Sequence, residues 1–362
     1  MKRGAALAAA LLTAGSLLAA PARGSTATVA RSGPGDVVLN DVASIPAGDV
    51  WAVGDGGIVS HWGGSSWTSR HLGGLRSPNL NGVGATSPSD AWVVGGVIVN
   101  DAFHAFVSHW TGVSWHRVAV PAYPGEVILQ DIAVNSLSDA WVVGRWFAST
   151  PAGSRRGAVI IHWNGTTWTR VAAPAGVALA ATAESVGGRL LSVGRMTATG
   201  APVAVQGVDG SLRVLPLPTV PSARCVPQDV IASPVIVVGT CWSGPASGHR
   251  SRPYVAVRRN GVWRRDRVGG SAALMGVDGP HATWAAGRTP TTGQPVLLRR
   301  RNHQWLRYAI APLAHGGGLE AVTVLAPHDA WAVGWRRVGA TKRPLALHWF
   351  GYGWEPLHVP LP

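Results

Sequence analysis

Short apolar runs recur along the chain in groups of four, and turn residues separate each run from the next. In the third group the runs are "ILQDIAV" (128–134), "AWVVG" (140–144), "AVIIHW" (158–163) and "TWTRVAA" (167–173). Runs this short and rich in Val, Ile and Trp are typical of strands, and the "NGT" before the last run is typical of a tight hairpin. No helical periodicity follows residue 22. Each group therefore predicts a four-stranded antiparallel sheet.

The group occurs seven times in register. Its second run ends at Gly54, Gly95, Gly144, Gly194, Gly239, Gly287 and Gly334, so the repeats are 41 to 50 residues apart. A second signature follows, from "HWGGSSW" (61–67) to "HWFGYGW" (348–354), with weaker copies in the fourth to sixth repeats. Seven such sheets predict an all-β fold, a seven-bladed β-propeller over residues 36–362. We letter the strands of each blade A to D from the centre outwards.

The repeat resembles known propeller repeats. "DVWAVG" (49–54) followed by "HWGGSSW" (61–67) is similar to the tectonin-type repeat of secreted lectin-like proteins. "DAWAVG" (329–334) and "HWNGTTW" (162–168) are similar to a repeat of exported bacterial propellers. The resemblance covers nearly all of residues 36–362. It implies the propeller fold and a secreted, lectin-like role. It carries no binding residue over, because the repeats here are longer than tectonin units.

All Trp residues except Trp146, Trp242 and Trp335 occupy repeated positions, and we expect the repeated set to pack between blades,. Asp and His also recur. We expect the Asp carboxylates in the A–B turns to accept backbone N–H bonds. The His residues stand one to a blade, so we expect no metal site among them. The recurring residues are Asp49, Asp90, Asp139 and Asp329, and His61, His109, His162 and His348.

Residues 1–22 have the pattern of a secretory signal peptide. Lys2 and Arg3 precede an apolar run at 4–20, and we place the cleavage after Ala22,. The alternative is a single membrane anchor, but the run is shorter than a bilayer span and no later segment is long and apolar enough. We expect a signal at 1–22, a linker at 23–35 that allows a spare strand near 26–31, and an exported, soluble, monomeric propeller at 36–362.

The chain is strongly basic, with a formal charge of +14. Loss of Lys2 and Arg3 lowers the charge to +12, and Lys342 is then the one remaining lysine. Such an excess draws a protein towards anionic surfaces and polymers in a salt-dependent way.

The non-repeated residues follow the Gly of each repeat, where we expect the B–C loops. In a propeller these loops and the D–A loops emerge on one face, which we call the top face. The acids expected there are Asp55 and Asp101. The basic residues are Arg145, Arg155, Arg156, Arg195, His249, Arg250, Arg252, Arg288, Arg336, Arg337, Lys342 and Arg343. The alternative interpretation is a solvated, basic loop surface.

The planar guanidinium group of arginine binds carboxylate or phosphate through two parallel N–H donors, and an aromatic side chain stacks on sugar rings. "RWF" (145–147) and "GWRR" (334–337) place indole and guanidinium together in the sequence. We therefore predict an exposed ligand-binding set on the top face. Its members are Arg145, Trp146, Trp242, Arg252, Trp335, Arg336 and Arg337.

The two cysteines, Cys225 and Cys241, flank the A–B turn of the fifth repeat symmetrically. They should meet across that hairpin, so we predict a disulfide in the exported protein.

Catalytic motifs are absent: there is no G-x-S-x-G, P-loop or HExxH sequence, and no motif sets two acids as a pair,. We therefore predict no catalytic residue, metal or cofactor. The expected function is non-enzymatic binding of an anionic cell-envelope polysaccharide or wall polymer.

Two alternatives stay open. One is a glycan-active hydrolase or lyase with a site in the central channel, which would need acids, or a Tyr–Arg–His group, converging from separate blades. The other is a scaffold for a partner protein. Nucleic acid is not the expected partner, because export separates the protein from it.

Overall fold

The computed structural model describes residues 35–72, 78–151, 153–183, 187–244, 250–279 and 282–362. The predicted signal peptide at 1–22 and the segment at 26–31 lie outside the described residues. Within them, no helix has the length and apolarity that crossing a bilayer requires.

Seven four-stranded antiparallel sheets form the blades of a propeller, as predicted, and each blade uses four consecutive strands in the order A-B-C-D. Blade 1 contains β1 (Leu39–Ser44), β2 (Val50–Gly54), β3 (Ile58–Trp62) and β4 (Trp67–His71), with a short 3₁₀ turn at Asp55–Gly57. Blade 2 contains β5 (Asn79–Ser87), β6 (Asp90–Val99), β7 (Ala102–Trp110) and β8 (Trp115–Arg117). Blade 3 contains β9 (Glu126–Ser136), β10 (Asp139–Thr150), β11 (Gly153–Trp163) and β12 (Trp168–Arg170).

The remaining four blades follow the same order. Blade 4 contains β13 (Val177–Ala183), β14 (Leu191–Met196), β15 (Pro202–Val208) and β16 (Ser211–Pro216). Blade 5 contains β17 (Arg224–Ala232), β18 (Val235–Ser243), β19 (Arg250–Arg259) and β20 (Val262–Arg265). Blade 6 contains β21 (Ala273–Asp278), β22 (Trp284–Arg288), β23 (Pro295–Arg301) and β24 (Gln304–Tyr308). Blade 7 contains β25 (Gly317–Ala326), β26 (Asp329–Val338), β27 (Thr341–Trp349) and β28 (Trp354–Leu357).

The hydrophobic core lies between the blades. In the described part of the chain, each interface between neighbouring blades holds one cluster of buried apolar residues. Trp284 is wholly buried in the cluster between blades 6 and 7, and Trp92 is 1% exposed between blades 2 and 3. None of the repeated Trp residues is exposed. The prediction that they form the scaffold is confirmed.

The recurring Asp and His residues pair with each other. In blade 3, Nε2 of His162 lies 2.6 Å from Oδ1 of Asp139, and the imidazole stacks on Trp141 at 4.2 Å. Blades 1, 2 and 7 repeat this Asp–His–Trp arrangement. We expected backbone N–H groups as the partners of these Asp carboxylates. The partner in the structure is the imidazole of the recurring His, which lies on strand C next to the A–B turn.

Buried carboxylates join blades around the centre. Strand A of every blade has a bulge, and the residue after it is Asp in blades 1, 3 and 5. Each of these carboxylates accepts a 2.8 Å bond from a backbone N–H of the following blade, and Asp278 of blade 6 does the same towards blade 7. The bonded pairs are Asp41–Val83, Asp131–Thr182, Asp229–Val277 and Asp278–Val324.

In the part of the chain that the structure describes, blade 7 supplies its own D strand, β28, and shares no strand with blade 1. Ser44 Oγ of blade 1 lies 2.8 Å from Oγ1 of Thr323 of blade 7. Just before β1, the Asp36 carboxylate accepts a bond from Lys342 N at 2.7 Å, and Val37 N donates to Lys342 O at 3.1 Å. The segment before β1 therefore fastens blade 1 to the B–C hairpin of blade 7.

The predicted disulfide is confirmed. Cys225 and Cys241 are directly paired across β17 and β18, with their Cα atoms 3.9 Å apart and their sulfurs bonded. Both residues are buried in the cluster between blades 4 and 5.

Candidate anion-binding face

The described basic residues after the repeated Gly lie in strands, so their assignment to loops was wrong, whereas Asp55 and Asp101 lie in turns. β10 and β11 stay paired from Ala140–Trp163 as far as Thr150–Gly153. β18–β19 and β26–β27 extend in the same way, and these hairpins project at the top face. The hydrogen bonds between the two strands of each hairpin continue because the backbone N–H and C=O groups of one strand pair with those of the other. This pairing does not require a large hydrophobic core.

Arg145 and Trp146 do not lie side by side as expected, because neighbouring residues of a strand point to opposite sides of the sheet. Trp146 is half-buried and packs against the cluster between blades 2 and 3. Its indole covers Gly157, its partner on β11, where a Cβ would lie 2.7 Å from Nε1. Arg145 lies close to Arg195 of blade 4 instead.

Trp335 is buried, with 9% of its surface exposed, so the expectation of an exposed indole is wrong. Its Nε1–H donates to Oε1 of Glu320 at 3.0 Å, and Lys342 Nζ lies 4.8 Å from the ring centroid. Glu320 also pairs with Arg288 of blade 6. Burial raises the pKa of Glu320 although Arg288 and Trp335 oppose that shift. The indole N–H of Trp335 is therefore used in a hydrogen bond to the Glu320 carboxyl group.

Three of the predicted arginines, Arg252, Arg336 and Arg337, are exposed on the long hairpins. Arg252 pairs with Cys241 across β18 and β19, and Arg336 with Arg343 across β26 and β27. The Arg337 guanidinium carbon lies 5.8 Å from the Trp335 ring centroid. These arginines occupy blades 5 and 7, which are not neighbours in the ring.

A cluster of four arginines spans blades 3, 4 and 5, and we call it the arginine cluster. Arg145 and Arg156 belong to β10 and β11, Arg195 to β14, and Arg224 to β17. Burial lowers the pKa of Arg145, and Arg195 lowers it further. Burial lowers the pKa of Arg195, with Arg224 and Arg156 adding to the shift. Arg195 is therefore close enough to each of the other three arginines for their positive charges to repel.

Arg224 was missed by the sequence reasoning, which did not include it among the basic residues of the top face. It is the directly opposed partner of Trp242 across β17 and β18, one residue beyond the disulfide pair. A Cβ at Gly200, in the β14–β15 turn, would lie 3.5 Å from Arg224 Nε, so this arginine reaches over blade 4. The signal was present: pairing Cys225 with Cys241 in register puts Arg224 opposite Trp242.

The carboxyl groups around the centre have strongly raised pKa values. Burial raises the pKa of Asp41 to about 7 and that of Asp229 to about 8. Burial also raises the pKa of Asp131 well above its ordinary value, with Asp41 and Asp229 adding to the effect. Each of these carboxylates bonds two backbone N–H groups, one on its own blade and one on the next. Through these hydrogen bonds the three carboxyl groups connect neighbouring blades.

The half-buried Tyr123 and the buried Tyr254 do not form the Tyr–Arg–His group that the enzyme alternative would need. Tyr123 donates to Ile160 O at 3.1 Å, and Tyr254 donates to Pro218 O at 2.8 Å. Across the described ranges there is also no group of three or more His, Cys, Asp or Glu residues arranged to hold a metal ion.

The fold therefore defines a seven-bladed propeller whose top face carries long hairpins and a surplus of arginine. No protein-family model matches the chain, and no curated protein matches it.

Solved propeller structures are similar to it. "YCF48 bound to D1 peptide" has a TM-score of 0.55 and 17% identity, over 87% of this chain and 93% of that one. The GH74 enzyme of Niastella koreensis has a TM-score of 0.53 and 14% identity, over 86% of this chain and 52% of that one. A PL25 ulvan lyase bound to -[GlcA(1-4)Rha3S]- has a TM-score of 0.50 and 9% identity, over 75% of this chain and 81% of that one. Identities this low show the shared fold alone.

Proposed function

We propose that this protein is an exported, non-enzymatic binding protein that holds an anionic polysaccharide or wall polymer on its top face. One observation carries the proposal: the hairpins of blades 3, 5 and 7 present exposed arginines on one side of the propeller. They are Arg155, Arg156, Arg252, Arg336 and Arg337.

The distribution of acids on the same face supports an anionic partner. Glu320 is engaged by Arg288 and Trp335, and Glu126 accepts a 2.7 Å bond from Phe103 N. Asp36 accepts the bond from Lys342 N. These three acids are therefore held within the fold, whereas Asp101, in the turn between β6 and β7, is exposed. The exposed arginines outnumber this acid, so the face can draw an anionic polymer by long-range attraction.

The extent of the basic face favours a polymer over a small molecule. Arg145 and Arg156 lie on blade 3, Trp242 and Arg252 on blade 5, and Arg336 and Arg337 on blade 7. One extended chain can contact arginines on separate blades at once. In this proposal Trp146 and Trp335 support the hairpins, and Trp242 is the indole beside the ligand. The PL25 neighbour, bound to an acidic saccharide, is a precedent for this fold.

The test is retention of the chain from residue 23 onwards on immobilised acidic polysaccharide, with a neutral polysaccharide as the matched matrix. We expect retention at low salt, release as salt rises, and no retention on the neutral matrix. Replacing Arg336 and Arg337 with Gln should move elution to lower salt. The control replaces Arg264 and Arg265, another exposed pair, on β20.

Equal retention on both matrices, or equal shifts from the two double variants, would show that net charge alone is responsible. Shortening of the polysaccharide during the experiment would favour the glycan-active enzyme instead.

A further inference from the structure

The C–D turn of blade 7 differs from those of blades 1 to 3 in the side chains that flank its Gly. Each of these turns has a Gly with positive φ as its second residue, such as Gly165 in blade 3 and Gly351 in blade 7,. In blade 7 the residues on either side of that Gly are Phe350 and Tyr352. The corresponding residues are Gly63 and Ser65, Thr111 and Val113, and Asn164 and Thr166. The same turn therefore forms without aromatic residues, so the fold does not explain them.

These two aromatic side chains lie in the solvent, on the side of the propeller opposite the top face. Tyr352 is 79% exposed and Phe350 is 39% exposed. Among the Phe, Tyr and Trp residues in the described part of the chain, only these two are exposed. Their ring centroids are 6.3 Å apart, and 21° separates the ring planes. Blade 7 thus presents two nearly parallel aromatic rings next to each other.

The carboxylate beside these rings is more exposed than its counterpart in blade 3. His348 contacts Phe350, with ring centroids 4.0 Å apart, and its Nε2 lies 2.7 Å from Oδ1 of Asp329. The Asp329 side chain is 40% exposed, compared with 22% for Asp139. In blade 3, Asn135 donates a 2.8 Å bond to Oδ2 of Asp139. Leu325 takes that position in blade 7 and has no donor, so the Asp329 carboxylate faces solvent near the rings.

A second carboxylate, Glu355, lies next to the same His348. The two residues are directly opposed across β27 and β28, so their side chains share one side of the sheet,. Glu355 is exposed, and the chain has no Lys or Arg after Arg343. Arg299 of blade 6, which donates a 3.3 Å bond to Pro327 O, is buried. This corner of a strongly basic chain is therefore aromatic and acidic at its surface.

We propose that Phe350, Tyr352, Asp329 and Glu355 form a binding site for a trimethylammonium group. Aromatic faces attract cations, and carboxylates compensate the charge. The methyl groups of this cation can pack on the rings, whereas a primary ammonium is more strongly hydrated and loses more on leaving water. A neutral sugar also stacks on aromatic rings, but it has no charge for the two carboxylates to compensate. The site goes beyond the proposed function and lies on the opposite face.

The first experiment compares choline with 3,3-dimethylbutan-1-ol, which has the same shape with carbon in place of the charged nitrogen. NMR titration of the ligand methyl signal measures both affinities. We expect choline to bind at least about 10-fold more tightly than the alcohol, and more tightly than ethanolamine. Equal binding of choline and the alcohol would show a purely apolar contact and would overturn the assignment.

Variants of the turn use residues that other blades have at the same position. Tyr352→Thr introduces the residue of blade 3 and should weaken choline at least about fivefold, whereas Tyr352→Phe keeps the ring and should bind within about twofold of the parent. Val113→Thr, at the same position of blade 2, is the matched control and should leave choline binding unchanged. Thermal unfolding checks that each variant is folded. Equal choline affinities of folded Tyr352→Thr and the parent would refute the site.

Two further variants test the carboxylates. Glu355→Gln removes the charge at constant size, so it should weaken choline but not 3,3-dimethylbutan-1-ol. Leu325→Asn gives Asp329 the donor that Asp139 has in blade 3, and it should weaken choline in the same way. If Leu325→Asn lowers the Tm, Glu355→Gln decides alone. Unchanged choline binding in Glu355→Gln would exclude charge compensation and overturn the assignment.

The source of the trimethylammonium group is distinguished by phosphatidylcholine vesicles and a peptide containing trimethyllysine. Vesicle binding that is lost in Tyr352→Thr indicates a lipid headgroup, and peptide binding that is lost in the same variant indicates a modified protein. Cellohexaose bound more tightly than choline, and lost in Tyr352→Thr, would identify a neutral-sugar site instead and refute the cation. Retention of Tyr352→Thr on acidic polysaccharide should equal that of the parent, so this site and the proposed function fail separately.

Discussion

Nε2 of His162 lies 2.6 Å from Oδ1 of Asp139, and this contact ties the end of strand C to the A–B turn of blade 3. The same imidazole stacks on Trp141, so one side chain connects a turn, a strand and the inter-blade core. Repeats 1, 2, 3 and 7 have both Asp and His at these two positions, whereas the fourth to sixth repeats have neither there. In blade 6, Arg299 takes the place of the His and lies 5.3 Å from the Trp284 ring.

His162→Ala should lower the free energy of unfolding by about 1–3 kcal/mol, because Asp139 loses its imidazole partner and Trp141 loses its stack. Denaturant titration followed by Trp fluorescence measures the change. The control is His116→Ala, an exposed residue that should change stability by less than about 0.5 kcal/mol,. Similar losses in both variants would show that the contact is not specific.

Trp284→Ala should destabilise the protein by about 3–5 kcal/mol, because the side chain is wholly buried between blades 6 and 7,. Trp146→Ala should cost less, about 1–2 kcal/mol, since its indole is half-buried over Gly157 at the edge of a hairpin,. Chemical denaturation compares the two. A loss at Trp146 as large as that at Trp284 would make it a core residue.

Stability should fall as pH rises from about 5 to 8.5. Burial raises the pKa of Asp41 to about 7 and that of Asp229 to about 8, whereas an unfolded Asp titrates near 4,. The folded state therefore binds more protons over this range, and the stability from these groups, complete below pH 4, is lost as pH rises through 7 to 8. We expect a lower Tm at pH 8.5 than at pH 5, measured by circular dichroism.

Asp229→Asn is the matched variant for the pH experiment. Its uncharged amide should reduce the difference in Tm between pH 5 and pH 8.5, although one amide N–H then faces a backbone N–H and lowers the Tm overall. Hydrogen bonds from His109 and Thr86 lower the pKa of Asp90 against the effect of burial, so Asp90 should contribute equally at both pH values. An unchanged pH dependence in Asp229→Asn would exclude this carboxyl group as a source.

Removing the disulfide with the double variant Cys225→Ser and Cys241→Ser should cost at most about 3 kcal/mol, because the bond closes a short loop within one hairpin,. Urea unfolding of the variant and the parent gives the difference. A thiol reagent should label neither Cys in the folded, non-reduced parent. Labelling of both would contradict the bond.

Deleting residues 23–31 should leave the propeller folded, because blade 7 closes the ring with its own D strand. Starting the chain at Leu39 should destabilise it by about 2 kcal/mol, because the bonds of Asp36 and Val37 to Lys342 are then lost,. Thermal melts of the two truncations test this. Aggregation of the shorter deletion would show that residues 23–31 contribute to the fold.

The repeat pattern by itself determined the seven blades, the four strands in each and the disulfide. These features depend on local signals: alternating apolar runs, turn residues and regular spacing place each strand, and the two Cys share one hairpin. The pairing of the Asp and His sets could also be predicted from the sequence. At the positions of Asp139 and His162, each repeat has either both residues or neither.

The tertiary structure alone decided which charged side chains meet. "RWF" placed Arg145 and Trp146 together in sequence, but the strand turns them to opposite sides of the sheet. Arg195 and Arg224 are far apart along the chain and come together only because blades 4 and 5 are neighbours and Arg224 reaches over the β14–β15 turn. The direction of a side chain and the identity of the neighbouring blade are properties of the three-dimensional fold. The contact between Glu320 and Arg288 also depends on a β-bulge, which the pattern of apolar residues does not predict.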